Sequence, residues 1–287
     1  MTKKAYREKC ISCIKHQDHR NTQRPDIYYY ENFYAKKIKE YFKKNGVKSL
    51  ETVYSKRSKT TSICSFLSSG RFCYNYFRKF MNESGDEFIK FEHPLYNDLP
   101  SAHLYPTKMD AANPNAGNYY ECKCGEITAS KHDLLSVSYK EKSKLFQEFG
   151  INNIKLTEPK IDKNGHEHVH IMFPASELVN FGCLLEEYPK YKDCLYNELC
   201  FDLKQFICHL IALANTEGPR NLIYIVFVPD KNNLDYYPAL MEKEMKCIKN
   251  SKKIQNFLKT HNISFSCEFV SIGDVDDINY FQTYLNK

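Results

Sequence analysis

Residues Asp110–Glu126, DAANPNAGNYYECKCGE, carry most of what the sequence says about its architecture. They open on an acid, pass through a turn rich in Asn, Pro and Gly, and enter Tyr119-Tyr120-Glu121-Cys122-Lys123-Cys124. Alternate residues of a strand share a face. Glu121 and Lys123 are therefore expected on one side, with Tyr120, Cys122 and Cys124 on the other. Ten residues separate Asp110 from Glu121, enough for Asp110 to end one strand and for Glu121 to return beside it on the next. Two carboxylates and an ammonium would then meet at one spot. Mg2+ takes one or two carboxylates and keeps several waters, and a lysine beside it can orient water and offset charge on a phosphate.

Upstream, EFIKFEHPL alternates Phe88, Lys90 and Glu92 against Ile89 and Phe91, and SAHLYPTKMD carries Asp110. With GNYYECKC these predict three successive antiparallel strands, the acid on the second and Glu121 and Lys123 on the third. Before them, Asp26–Asn45 predicts an amphipathic helix, with Tyr30, Phe33, Tyr34, Ile38, Tyr41 and Phe42 as its stripe and Asn45-Gly46 as its C-cap. Glu31 stands near its start, where an acid also suits the helix dipole. Between helix and strands lies a basic Ser/Thr stretch with Lys56, Arg57 and Lys59, suited to phosphates or simply solvated, then an apolar-aromatic helix within 66–82.

Downstream, Ser130 can cap a helix over HDLLSVSYKEKSKLFQEFG ending at Gly150, with Ser136, Tyr139 and Lys140 able to lean over the site. HEHVHIMFP predicts a strand with His166, His168 and His170 on one face. CFDLKQFICHLIALAN reads as an apolar helix and NLIYIVFVP as a central buried strand. A Glu/Lys-rich helix over about 236–260 and a last strand, ISFSCEFVSI, would extend or cover the sheet.

The chain has 287 residues, 42% hydrophobic, a net charge of +6, 22 Tyr, 19 Phe and no Trp. That length can bury a sizeable core, and the mild positive charge permits a nucleic-acid partner without demanding one. No apolar run approaches a membrane span, and the polar start MTKKAYREKC has no signal-peptide core. The 12 cysteines are spread through the chain, most among apolar neighbours (Cys64, Cys73, Cys183, Cys208), where a reduced cysteine acts as a small hydrophobe; a reducing cytoplasm is the expected compartment. Cys10, Cys13, His16 and His19 have a zinc-like flavour but lack the loop a structural site needs between its pairs.

Asp110, ten residues, then Glu121-Cys122-Lys123, set within helix, strand, Asp strand, ExK strand, helix, strand, resembles the PD-(D/E)xK nuclease superfamily, which includes many restriction endonucleases. The resemblance covers about residues 26–175. Met109 replaces the family's proline, and Pro106 lies four residues before Asp110. It implies an α/β protein with a restriction-endonuclease-like core, a central mixed β-sheet flanked by helices. Residues 1–25 would be an appendage, and 26–287 a single domain with a C-terminal α/β extension. The implied activity is Mg2+-dependent hydrolysis of DNA phosphodiester bonds, of restriction type, with Mn2+ substituting. Asp110, Glu121, Lys123 and Glu31 would be its catalytic residues and Asp110, Glu121 and Cys122 its metal positions. Glu92 is a further candidate acid, and Glu40 a weaker one. Double-stranded DNA is the implied partner and a homodimer the assembly open to it. The alternative is an inactive module that keeps the fold and binds nucleic acid or protein, against which the intact Asp-Glu-Lys set argues.

Overall fold

The computed structural model describes residues 1–17, 68–78, 89–95, 107–129, 131, 134–136, 143–161, 165, 167–188 and 198–271. The expected hairpin lies at its centre. Strand β2 (Thr107–Asn113) pairs antiparallel with β3 (Asn118–Lys123), through Ala111↔Tyr120, Ala112↔Tyr119 and Asn113↔Asn118. Asp110 is thus inside its strand rather than at its end, because the ladder continues three residues past it. The turn is a single 3-10 turn, Pro114–Ala116, in which the Asn113 side chain accepts from the Ala116 amide and Gly117 takes φ 67°. Proline suits the first helical position and glycine the left-handed one. Gly117 is also fixed by proximity, since a Cβ there would lie 2.4 Å from the Pro219 carbonyl oxygen.

A strand β1 (Lys90–Leu95) pairs antiparallel with β2, and β8 (Arg220–Phe227) and β9 (Ile263–Val270) complete the sheet in the order β1-β2-β3-β8-β9. The β3–β8 and β8–β9 pairs are parallel, so the sheet is mixed. The apolar run of β8 is buried from Ile225 to Phe227, as an inner parallel strand covered on both faces should be. One face is covered by helix α2 (Ser69–Arg78): Phe77 lies 4.5 Å from the Tyr120 ring, and the thiols of Cys73 and Cys122 hydrogen-bond. The other face is covered by α5 (Leu203–Ala214), which is capped by Asp202 and sets Phe206 against Tyr224 and Phe265. Two further helices follow, α6 (Tyr236–Lys249) and α7 (Lys252–Thr260). Phe257 of α7 stacks on Phe149 at 4.0 Å. The result is a mixed α/β fold with a five-stranded sheet between helices.

Several local expectations are corrected. The helix expected over 131–149 is a strand β4 (Leu134–Ser136) and a short helix α3 (Ser143–Glu148). β4 is held by antiparallel pairing with β7 (His170–Met172), Leu135 opposite Ile171 and both buried, a partner that local periodicity cannot see. The His-x-His-x-His strand is divided: His168 ends β6 (Glu167–His168), which pairs with β5 (Lys160–Ile161), whereas His170 begins β7. A one-turn helix α4 (Ala175–Leu178) follows. The long helix over 236–260 breaks at Asn250-Ser251 into α6 and α7.

The N-terminal appendage contains a helix α1 (Lys3–Gln17) packed into the same core. Tyr6 and Cys10 are buried, and Lys3 and Lys9 pair with Glu198 and Asp235. Cys183, expected among apolar neighbours, is exposed and disulfide-bonded to Cys247. Glu31, Glu40, Lys56, Arg57, Lys59, Cys64, Tyr139, Lys140, His166 and His19 lie outside the described residues. Among the described residues no helix is long and apolar enough to cross a membrane.

Candidate active site

The β2–β3 register puts Asp110 opposite Glu121, one step beyond Ala111↔Tyr120. There the backbone ladder gives way to a side chain: the Cys122 amide donates to Asp110 Oδ2 at 2.8 Å. This fixes the Asp110 carboxylate against β3. Glu121, only 3% exposed, and Lys123 share the face toward α5, as alternation predicted. Lys123 Nζ is 2.5 Å from Glu121 Oε1.

Helix α5 completes the arrangement. Gln205 Nε2 donates to Glu121 Oε1 at 2.7 Å, and Lys123 Nζ donates to Gln205 Oε1 at 2.7 Å. One amide therefore holds both the acid and the ammonium. One turn on, His209 Nε2 lies 3.6 Å from Glu121 Oε2, and its Nδ1 is 3.0 Å from Tyr224 Oη. Burial, helped by Lys123, pushes the His209 pKa down to about 3, so the ring is neutral. A neutral ring with Tyr224 donating to Nδ1 presents its Nε2 hydrogen to Glu121. Positions four apart share a helix face, which is how Gln205 and His209 reach one carboxylate.

On the other side of Asp110 is Glu92. The pairs Phe91↔Ala111 and His93↔Met109 place it opposite Asp110. Its φ of 49° is in the left-handed region, which is costly for a residue with a Cβ and tends to persist where its surroundings enforce it. The alternation expected of this strand is broken at that residue. Burial first, then the Asp110 charge, raise the Glu92 carboxyl to about 7, opposed by Lys108 at 3.9 Å.

Negative charge is crowded here. Burial and then Glu121 push the Asp110 pKa up, and burial pushes Glu121 up against the pull of Lys123. Burial works against the Lys123 ammonium, yet Glu121, Glu126 and Asp110 outweigh it and hold its pKa above the ordinary value. Glu126, just past β3, accepts the Cys124 and Gly125 amides at 2.9 Å each. Lys123 and those amides hold its carboxyl low in spite of burial.

The structure therefore brings Asp110, Glu121 and Lys123 together, with Glu92 beside them. Cys122 contributes its amide, whereas its thiol is on the opposite face against Cys73, so it offers the site no sulfur ligand. Ser136 is on the short strand β4. Gln205, His209 and Glu126 were missed from sequence. The available signal was the polar pair four apart in an otherwise apolar helix, but reading it required knowing which face met the sheet. Among the described residues no group of three or more His, Cys, Asp or Glu side chains is gathered to hold a metal. Asp110 and Glu121 are two carboxylates facing one another across β2 and β3, and Mg2+ usually takes one or two carboxylates and keeps several waters. Two acids whose pKa values are raised by burial and, at Asp110, by the charge of Glu121 gain from a cation, so the residues present fit one. No family model, curated protein or solved structure matches the chain.

Proposed function

We propose that the chain is a Mg2+-dependent endonuclease that hydrolyses DNA phosphodiester bonds with a restriction-endonuclease-like core. The observation that carries this reading is Asp110 opposite Glu121 on adjacent antiparallel strands, with the Lys123 ammonium against Glu121. The sheet supports it in part: an antiparallel meander β1-β2-β3, with β8, reached only after β4–β7 and α5, parallel to β3.

When bound, Mg2+ would supply Lewis acidity toward a phosphate oxygen and a more acidic water. Asp110, held by the Cys122 amide, and Glu121, held by Gln205 and Lys123, would be its ligands. Lys123 carries a compact charge tethered by Gln205, which can orient the attacking water and offset charge on the phosphorane. Glu92 is the accessory acid among the described residues.

Nicking of supercoiled plasmid DNA in Mg2+ and in EDTA tests the reading. Cleavage in Mg2+ alone is expected. Cleavage in both media points to other chemistry, and cleavage in neither to a module that binds without cutting.

A further inference from the structure

Residues 242–261, the second half of α6 and all of α7, hold six lysines and two glutamates. Glu244 is fully buried and accepts the Cys200 and Phe201 amides and the Tyr188 hydroxyl. Two of the lysines are engaged as well: Lys243 pairs with Glu187, and Lys253 Nζ donates to the Glu177 carbonyl at 2.6 Å. Lys246, Lys249, Lys252 and Lys259 are exposed, and among the described residues no carboxylate is within ion-pair distance of them. Glu242, exposed one turn before Lys246, offsets part of this charge.

The four are placed regularly. Positions three, four and seven apart share a helix face, so Lys246 and Lys249 share one face of α6. Lys252, Asn256 and Lys259 share one face of α7, opposite the buried Ile254 and Phe257. Lys249 Nζ lies 5.1 Å from the centre of the Phe265 ring, which packs on Phe206 of α5 at 4.6 Å. These lysines are therefore on the side of the sheet that Glu121 and Lys123 face. Phe265 is on β9, two strand spacings or roughly 10 Å from β3.

We propose that this face of α6 and α7 docks the phosphodiester backbone of duplex DNA, through Lys246, Lys249, Lys252 and Lys259 and without regard to sequence. The choice of DNA among polyanions rests on the nuclease reading, whereas the charge of the surface does not. Lysine meets phosphate as a point charge, and the Asn256 amide is a donor of the kind that positions a backbone. A lipid surface fits less well, because the apolar faces of both helices are buried in the core and cannot enter a bilayer.

The test follows binding of a labelled duplex of arbitrary sequence, roughly 30 base pairs, by anisotropy in EDTA between about 50 and 200 mM salt. Each phosphate neutralised contributes about −0.9 to the slope of log affinity against log salt. Replacing the four lysines by glutamine should make that slope shallower by about 3 to 4 and weaken binding about tenfold or more. Neutralising four exposed lysines elsewhere, Lys4, Lys90, Lys155 and Lys160, changes the net charge equally and should leave the slope within about 1 of wild type. Asn256→Glu puts an acid between Lys252 and Lys259 at spacings that favour the helix, yet should weaken binding by about threefold or more. Should the four-lysine variant fail to fold, Asn256→Glu decides. A wild-type slope in the four-lysine variant, an equal loss in the control, or no DNA binding by wild type overturns the proposal. Binding lost with the four lysines, in a protein that never nicks plasmid, would refute the nuclease reading and leave the surface. Nicking by a four-lysine variant of wild-type affinity would refute the surface alone.

Discussion

Replacing Gln205 by methionine keeps the length of the side chain and removes the one amide that touches both Glu121 and Lys123. Each lost bond has a charged partner and is worth about 1.5–3 kcal/mol. The direct Lys123–Glu121 contact at 2.5 Å survives, so neither charge is left without a partner. The net loss is therefore expected near the lower end of the two together, about 3 kcal/mol in folding stability. Catalysis should suffer by positioning: with its tether gone, Lys123 samples orientations that do not face the water. Single-turnover cleavage of plasmid DNA in Mg2+ should fall about 10- to 100-fold, or roughly 1.4–2.7 kcal/mol in the barrier. DNA affinity in Ca2+ should be unchanged, which separates positioning from loss of fold. A Gln205→Met protein that cleaves within about threefold of wild type, under 0.7 kcal/mol, would show that the amide does not position the site.

Lys123→Arg keeps the charge but loses the compact ammonium, and should lose about a hundredfold or more in single-turnover rate; arginine substituting within about threefold would refute a water-positioning role. Glu92 has a carboxyl raised to about 7 in the folded state, above the usual ~4.3. Its protonated form is the one the fold prefers, so its contribution is present below pH ~4.3 and is lost as pH rises through about 7. In EDTA, Glu92→Gln should reduce the fall in urea stability between these values by on the order of 2 kcal/mol, and a pH profile parallel to wild type would contradict this. Glu244 is fully buried and accepts the Cys200 and Phe201 amides and the Tyr188 hydroxyl, just ahead of the Asp202 cap of α5. Glu244→Ala should therefore cost about 3 kcal/mol or more in urea unfolding, since several buried donors lose their acceptor at once. A loss under about 0.5 kcal/mol would show that the loop does not depend on it.

The hairpin was legible because Asn113, Pro114 and Gly117 each have a local conformational reason to turn, and β8 because its apolar run is continuous. Helix α5 was legible from its length and apolarity; its Asp202 cap was not read. What could not be read was pairing across distance. Leu134-Leu135-Ser136 fits a helical stripe as well as a strand, and only β7, more than thirty residues on, selects the strand. Glu92 gave no sign that it would be opposite Asp110, because that depends on the β1–β2 register and a left-handed backbone. Gln205 and His209 looked like interruptions in an apolar helix. They became site residues once β8 packed beside β3 and set the α5 face over Glu121. The parallel placement of β8 and β9 is a tertiary choice that their own residues leave open.

The central claim is that the carboxylate pair hydrolyses DNA, and Asp110 tests it most directly. Its carboxyl is raised by burial and by Glu121, so removing it relieves repulsion even as the Cys122 amide loses its acceptor. Asp110→Ala should therefore fold with a stability close to wild type while losing the anionic ligand. Wild type and Asp110→Ala are compared in single-turnover cleavage of one supercoiled plasmid in Mg2+. The account predicts metal-dependent nicking by wild type and none by Asp110→Ala; cleavage by Asp110→Ala at the wild-type rate would place the chemistry elsewhere in the chain.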